Sequence, residues 1–291
     1  MKFLNFYNDK EDVCLGIITD RGIVDINELY EEKNECCPNN INDLVTFGKD
    51  KLKYIELLLK EKKESVKYID ENNINYAPCV MEPQKIICVG LNYISHSDEC
   101  NMAVPEFPVL FSKFNNALLG HNGIIELPKT AEKFDYEAEL VIVIGKKANN
   151  ISKEEALSYV FGYTAGNDFS ARDLQMRTGQ WLLGKTCDGF APIGPYLVTS
   201  DEVNPDNLDI KCIVNGEIRQ SANTSDMIFD CATIVSYISK YMTLLPGDII
   251  YTGTPCGVIL GYKNGNKIWL KSGDKIDVYI ENIGTLSNVL R

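Results

Sequence analysis

Histidine is scarce in this chain, with only His96 and His121 among 291 residues. The ten cysteines are irregularly spaced and form no C-x-x-C or Cys/His zinc pattern. Positive charge is short as well: 29 Lys and Arg against 41 Asp and Glu give a formal net charge of −12. That balance argues against nucleic acid or an anionic membrane as partner, while a small anionic substrate can still meet a local Lys/Arg cluster. No apolar run approaches a membrane span, and the stretch from Met1 to Asp9 lacks the apolar core of a signal peptide. A cytoplasmic protein with reduced, packing cysteines is therefore expected. Internal repeats, low-complexity tracts and a phosphate-cradling Gly-rich loop are missing too, which argues against nucleotide chemistry.

What is present begins with three acids at two-residue spacing, Asp135, Glu137 and Glu139, leading into Leu140-Val141-Ile142-Val143-Ile144. Side chains alternate along a strand, so Glu137 and Glu139 project to the same side. The apolar run on both parities reads as a strand buried on both faces. Two like charges at the mouth of such a strand cost several kcal/mol unless compensated. A bound cation offsets that cost, and oxygen ligands favour Mg²⁺, Mn²⁺ or Ca²⁺ over Zn²⁺. A solvated strand end, or pairing with Lys or Arg, is the alternative.

Two units are expected, a small N-terminal α/β domain over 1–80 and a catalytic domain over 81–291. Val13 to Ile18 and Gly22 to Ile26 flank Thr19-Asp20-Arg21 as a small hairpin. Leu44, Phe47, Leu52, Ile55, Leu58 and Leu59 recur near helical spacing. The polar, Pro-punctuated stretch from Asn72 to Pro83 marks the boundary. From Ile86 onward, short β-branched runs broken by Gly, Pro and Asn predict a rolled or closed, mainly β architecture, α+β in class. Those runs are Ile86 to Val89, Val109 to Phe111, Ile124 to Leu127, Tyr196 to Val198, Ile210 to Val214, Ile249 to Tyr251 and Lys275 to Ile280. Helices are predicted over Lys153 to Phe161 and over Ile228 to Met242, the latter with an Ile234, Ile238, Tyr241 face.

The chemistry-bearing residues lie in the second unit. His96 and Glu99 sit at i,i+3, so one helical turn would let the carboxylate fix the imidazole tautomer and make a general base. An exposed polar turn is the plainer reading of that segment, and His121 reads as an ordinary turn residue. Asp168 ends a β-type run and can complete a three-carboxylate site with Glu137 and Glu139. Arg172 and Gln175, again i,i+3, present a cation and an amide together, unless Arg172 merely pairs with Asp168 or Asp173. Lys185 lies between small residues and can stabilise an oxyanion or enolate, or else snorkel to the surface. Thr252-Gly253-Thr254-Pro255 offers N–H groups and hydroxyls suited to a carboxylate.

Taken in order, G-L-N-Y-x-x-H-x-x-E, F-x-K, Y-E-x-E-L-x-x-x-I-G-K, N-D-x-S-A-R-D-x-Q, G-K, P-x-G-P, V-N-G-E-x-R-Q, M-I-F, L-x-P-G-D-I-I-x-T-G-T-P and G-D resemble the fumarylacetoacetate hydrolase family. The resemblance covers roughly Ile86 to Arg291 and is to compact acylpyruvase and 2-hydroxyhepta-2,4-diene-1,7-dioate isomerase-like members. It implies a mixed β-roll catalytic domain, a homodimer, and one Mg²⁺ or Mn²⁺ on Glu137, Glu139 and Asp168. His96 and Glu99 then match a water-activating dyad on a lid segment. Lys185 and Gln175 match polar substrate contacts, Thr254 a position near the substrate carboxylate, and Arg172 and Lys113 fall in matching motifs. The implied activity is metal-dependent C–C hydrolysis of acylpyruvate-like 2,4-dioxo acids by way of an enolate. Isomerase, decarboxylase or oxaloacetate-type tautomerase action on small 2-oxo diacids is the alternative within enzymes, and a non-catalytic, metal-stabilised binding protein the alternative outside them. Two departures, Thr186-Cys187-Asp188-Gly189-Phe190-Ala191-Pro192 for S-F-D-x-F-C-P and Val258-Ile259-Leu260 after Gly257 for G-V-G, bear on the substrate and not on the metal site.

Overall fold

Runs of β-branched and aliphatic residues separated by turn formers fold into two large sheets and one short ribbon. The computed structural model describes residues 1–30, 37–99, 103–263 and 265–291. Ala138–Ile144 is the central strand, and all seven of its residues are buried, as its doubly apolar sequence requires. Val160–Asn167 and Ile249–Tyr251 flank it, both antiparallel. Ile86–Gly90 follows in parallel beside 249–251, and Val109–Lys113 forms the last strand on that side. On the other side Val160–Asn167 pairs with Ala191–Thr199, which pairs with Lys2–Tyr7 through Lys2 opposite Val198 and Phe3 opposite Leu197.

The second sheet contains Glu217–Asn223, Asp209–Val214, Lys275–Ile280, Gly284–Leu290 and Ile124–Ile125. Its alternate residues Ile210, Cys212, Ile276, Val278 and Ile280 point into the core shared with the first sheet. The α+β, mainly β class expected from the sequence is the one observed.

In the N-terminal unit the hairpin forms as expected between Val13–Thr19 and Gly22–Asp25. Two helices follow, Ile41–Phe47 and Asp50–Lys62, with Leu44 and Ile55 fully buried on the apolar face. Asn40 caps the first by accepting from the Asp43 N–H, and Gly48 at φ +80° ends it. Sheet and core continue without a break from this unit into the rest of the chain.

Three elements differ from expectation. The helix expected over Lys153 to Phe161 is only Lys153–Ala156 with a 3-10 turn, Leu157–Tyr159. Val160 pairs with Ile144 and so enters the sheet, where its branched side chain packs, in preference to extending a short helix. The helix expected over Ile228 to Met242 is Cys231–Ser239, because Asp230 caps the Thr233 N–H and fixes its start. Ile234 and Ile238 are buried in it, but Tyr241 lies beyond its end and is 68% exposed. The strand expected over Ile124 to Leu127 has only its first two residues.

Cys14, Cys79, Cys88, Cys187, Cys212, Cys231 and Cys256 carry free thiols, and Cys36 and Cys100 lie outside the described residues. Burial pushes the Cys79 thiol up to about 12, and burial with the nearby Asp25 pushes Cys14 up to about 11, so both are inert packing groups. Among the described residues no helix is long and apolar enough to cross a membrane.

Candidate active site

The pairing registers bring four chain segments to one end of the central sheet. Ala138 lies opposite Asn167, and the segment after Tyr251 runs back past Leu140 and Ala138. The parallel strand 86–90 ends beside it and leads into the helical turn Ile94–Glu99. Leu91, at φ +56°, makes the sharp exit from that strand. Asn92 then fastens the turn by donating to the carbonyls of Phe229 and Thr252 and accepting from the Phe229 N–H.

Glu137, Glu139 and Asp168 meet at this end, all buried, with one oxygen from each within 4.8 Å of the others. Their neighbours form a dense ion network. Lys185 Nζ lies 2.5 Å from Glu137 Oε2 and 2.7 Å from Asp168 Oδ2. Arg172 donates through Nη2 to Glu137 Oε1 at 2.7 Å, through Nε to Asp135 Oδ2 at 2.8 Å, and through Nη1 to Gln175 Oε1 at 2.9 Å. Lys113 Nζ gives its hydrogen bonds to the carbonyls of Phe169, Lys185 and Phe190. It also lies 2.6 Å from Asp168 Oδ1, which therefore receives positive charge but no directed hydrogen bond.

The electrostatics separate the two glutamates. Burial opposes ionisation of Glu137, yet Arg172 and Lys185 outweigh it and hold the carboxyl well below its ordinary range. Burial, Asp168 and Glu137 all push Glu139 well above that range, against the Gly253 N–H that donates to its Oε2 at 2.7 Å. Burial opposes the charge on Lys185, but Asp168 and Glu137 outweigh it and raise its pKa, so it is a fixed cation.

Three acidic oxygens with no nitrogen or sulfur donor suit a hard divalent cation. Counting Asp135, four buried carboxylates face three buried cations, Lys113, Arg172 and Lys185, an excess of one negative charge. The ammonium of Lys185 already bridges two of the acids. A divalent ion therefore fits the residues present, and Glu137, Glu139 and Asp168 would hold it.

His96 lies over this floor, 94% buried, and its Nδ1 is 2.8 Å from Glu99 Oε1. Glu99 Oε2 accepts from the Gly257 N–H at 2.9 Å. Val89, Phe111, Met176, Trp181 and Leu260 line the walls of the cavity between. About 40 Å³ is open inside to the centres of water-sized groups, room for a few solvent molecules at roughly 10–15 Å³ each.

Of the sequence-derived candidates, His96, Lys185, Arg172, Gln175, Thr254 and the three acids all line this one cavity. The pairing of Arg172 with Asp168 or Asp173 does not occur; its partners are Asp135 and Glu137. Gln175 gives its carbonyl to Arg172, which leaves its amide nitrogen for a ligand. The Thr254 hydroxyl donates to Ala138 O and accepts from Gln220 Nε2, so it fastens the strand end. Lys113 lies beneath Asp168, outside the cavity wall. His121 is a turn residue as expected, its Nδ1 accepting from the Ser287 N–H. The N–H of Gly253, expected to suit a carboxylate, meets Glu139, whereas sequence reasoning gave no role to Phe111, Gln220 or Trp181; Phe111 lies in F-x-K and Gln220 in V-N-G-E-x-R-Q, while Trp181 carried no motif signal.

A family model described as fumarylacetoacetate (FAA) hydrolase C-terminal matches residues 85–291. A fumarylacetoacetate hydrolase domain-containing protein 2 homolog from Dictyostelium discoideum is 53% identical over 220 residues, 72% of each chain. The protein named oxaloacetate tautomerase Fahd2a, mitochondrial, from Rattus norvegicus is 46% identical over 222 residues, 76% of this chain and 70% of that one. Among solved structures, a fumarylacetoacetate hydrolase from psychrophilic Exiguobacterium antarcticum superimposes with a TM-score of 0.85 at 34% identity, covering 100% of this chain and 99% of that one.

Proposed function

This chain belongs to the fumarylacetoacetate hydrolase family, and on that premise we propose that it catalyses divalent-metal-dependent keto–enol proton transfer on a small 2-oxo diacid of the oxaloacetate type. The observation that carries the reading is the His96–Glu99 pair set over a buried three-carboxylate floor in a cavity with little free volume. The sequence similarity to an oxaloacetate tautomerase supports the substrate class.

A divalent ion, Mg²⁺ or Mn²⁺, on Glu137, Glu139 and Asp168 supplies Lewis-acid polarisation of a 2-oxo group. The residues of the chain do the rest. Glu99 holds the proton of His96 on Nδ1, so that Nε2 is the ring nitrogen that exchanges a proton with the carbon between ketone and carboxylate. Lys185 and the Gln175 amide face the oxygen on which negative charge grows, and the low dielectric of the pocket strengthens both. Phe111, Trp181 and Leu260 exclude bulk water and limit substrate length.

The second reading is hydrolytic C–C cleavage of acylpyruvate-like 2,4-dioxo acids, with His96 and Glu99 activating a water. The full-length likeness to a solved hydrolase favours it. A homodimer and a reducing, cytoplasmic setting complete the proposal, the latter supported by the free cysteines named above; light scattering and fractionation test these two.

The test is to present the enol form of oxaloacetate to Mg²⁺-loaded protein and follow ketonisation by absorbance, with EDTA and acylpyruvates as parallel arms. Metal-dependent acceleration of ketonisation is expected. Release of pyruvate and a carboxylic acid from an acylpyruvate without any effect on the enol would move the assignment to the hydrolase reading.

A further inference from the structure

The first acid of the D-x-E-x-E spacing stands outside the metal seat. Asp135 belongs to a short strand, Phe134–Asp135, paired with Ser170–Ala171 and not continuous with Ala138–Ile144. Its side chain is fully buried, and both oxygens are saturated. Oδ1 accepts from the N–H groups of Tyr136 at 3.0 Å and Ile259 at 2.9 Å. Oδ2 accepts from the Leu260 N–H at 3.0 Å and from Arg172 Nε at 2.8 Å.

These contacts join two parts of the site. On one side Arg172 carries on to Glu137 and Gln175. On the other the 257–261 loop backs the dyad: the Gly257 N–H donates to Glu99 Oε2, and Glu99 rests against the bare α-carbon of Gly261. A Cβ at Gly261 would lie 2.5 Å from both Cδ and Oε2 of Glu99, and one at Gly257 would lie 2.1 Å from Arg219 O. A side chain at Gly257 would meet backbone and one at Gly261 would displace the Glu99 carboxylate, while the N–H groups of Ile259 and Leu260 are held by Asp135.

We propose that Asp135 is a positioning residue that aligns the Glu99–His96 dyad to the acid floor, through the N–H groups of Ile259 and Leu260 on one side and Arg172 on the other. This rests on the dyad reading of the site given above. The Val258-Ile259-Leu260 departure from the family pattern leaves this grip intact, since what Asp135 holds in Ile259 and Leu260 is backbone.

Two variants of the full chain test it. In Asp135→Asn the new amide meets loop N–H donors with a donor of its own. In Gly261→Ala the added methyl pushes on Glu99 directly, whose Cδ, Oε2 and Cγ are the atoms nearest to it. Because the chain holds two histidines, long-range ¹H–¹⁵N correlation reads each imidazole tautomer separately. In the native protein neutral His96 is expected to carry its proton on Nδ1, and His121, whose Nδ1 accepts from Ser287, on Nε2. Both variants should shift His96 toward the Nε2–H form, leave His121 unchanged, and lower kcat by about 10- to 100-fold. Gly261→Ala should retain the Mg²⁺-induced rise in Tm. If Asp135→Asn does not fold, Gly261→Ala tests the loop's grip on Glu99, and Ile259→Pro, which deletes one of the two N–H groups held by Asp135, tests the Asp135 link by the same signal. An unchanged His96 tautomer and kcat in the folded variants would overturn the proposal, as would a native His96 protonated on Nε2. A tautomer shift in a protein that turns over no 2-oxo acid would sustain the positioning role while sinking the proposed reaction.

Discussion

The floor of the cavity and its roof are built from different material. Glu137, Glu139 and Asp168 sit at the ends of two central strands whose residues are wholly buried; three cations hold Glu137 and Asp168, and the Gly253 N–H holds Glu139. His96 and Glu99 stand on a six-residue helical turn, held by Asn92 and a glycine-bearing loop. Strand ends in a doubly covered sheet fix a charge constellation at little conformational freedom, which a metal seat needs. A short turn leaves its residues able to adjust, which suits a base that must meet substrate and let product go. On the proposed function, the comparison predicts that metal binding and proton transfer can be separated by mutation.

The largest effect should come from attacking the floor. Glu137→Ala takes one of two buried carboxylate partners from each of Arg172 and Lys185, leaving Asp135 and Asp168 as the others, and costs at most about 3–5 kcal/mol. Calorimetric unfolding should show that loss together with the disappearance of any Mg²⁺-induced stabilisation and of turnover. At saturating metal the stabilisation lost is about 2.7 kcal/mol for a concentration 100 times Kd.

The roof should respond differently. His96→Ala is expected to lower turnover by about 10²–10⁴-fold, as for loss of a general base, with the Mg²⁺-induced rise in Tm retained. Loss of both would merge the two regions and break the comparison.

Protonation sharpens it further. Since the Glu139 pKa is raised on folding, the metal-free protein should lose stability as pH rises above the ordinary carboxylate range toward the raised value. Glu139→Gln should therefore melt higher than the native protein in EDTA at neutral pH, by an amount on the order of 1 kcal/mol, and gain nothing from Mg²⁺. Glu137 has the opposite sign: its stabilisation is complete above the ordinary carboxylate range and disappears as pH falls below it. Melting temperature against pH in EDTA, for Glu137→Gln and Glu139→Gln, checks the two slopes. The smallest effect belongs far from the site, where Lys60→Ala removes an exposed pair with Glu56 and should leave Tm and turnover unchanged.

The seat was legible because strand alternation puts Glu137 and Glu139 on one side whatever else the chain does, and the apolar run after them has no other place than a core. His96 with Glu99, and Arg172 with Gln175, were legible for the same local reason, spacing along one turn. What was not legible depends on partners distant in sequence. Asp135 shares the spacing of the glutamates, but the chain breaks strand geometry at Tyr136 and turns the carboxylate toward a loop more than a hundred residues on. Lys113 meets Asp168 from another strand, and its depth beneath the floor cannot be read from F-x-K. The helix ends at Val160 and Cys231 were misjudged because sheet pairing and an Asp cap, not periodicity, set them.

The most direct test is a titration of Mg²⁺ into the metal-free native protein, His96→Ala and Glu137→Ala by isothermal calorimetry. The account expects His96→Ala to bind within about threefold of the native protein, since no deleted atom is a ligand, and Glu137→Ala to bind at least about 10- to 100-fold more weakly. Metal affinity that falls with His96, or survives without Glu137, would contradict the division between floor and roof.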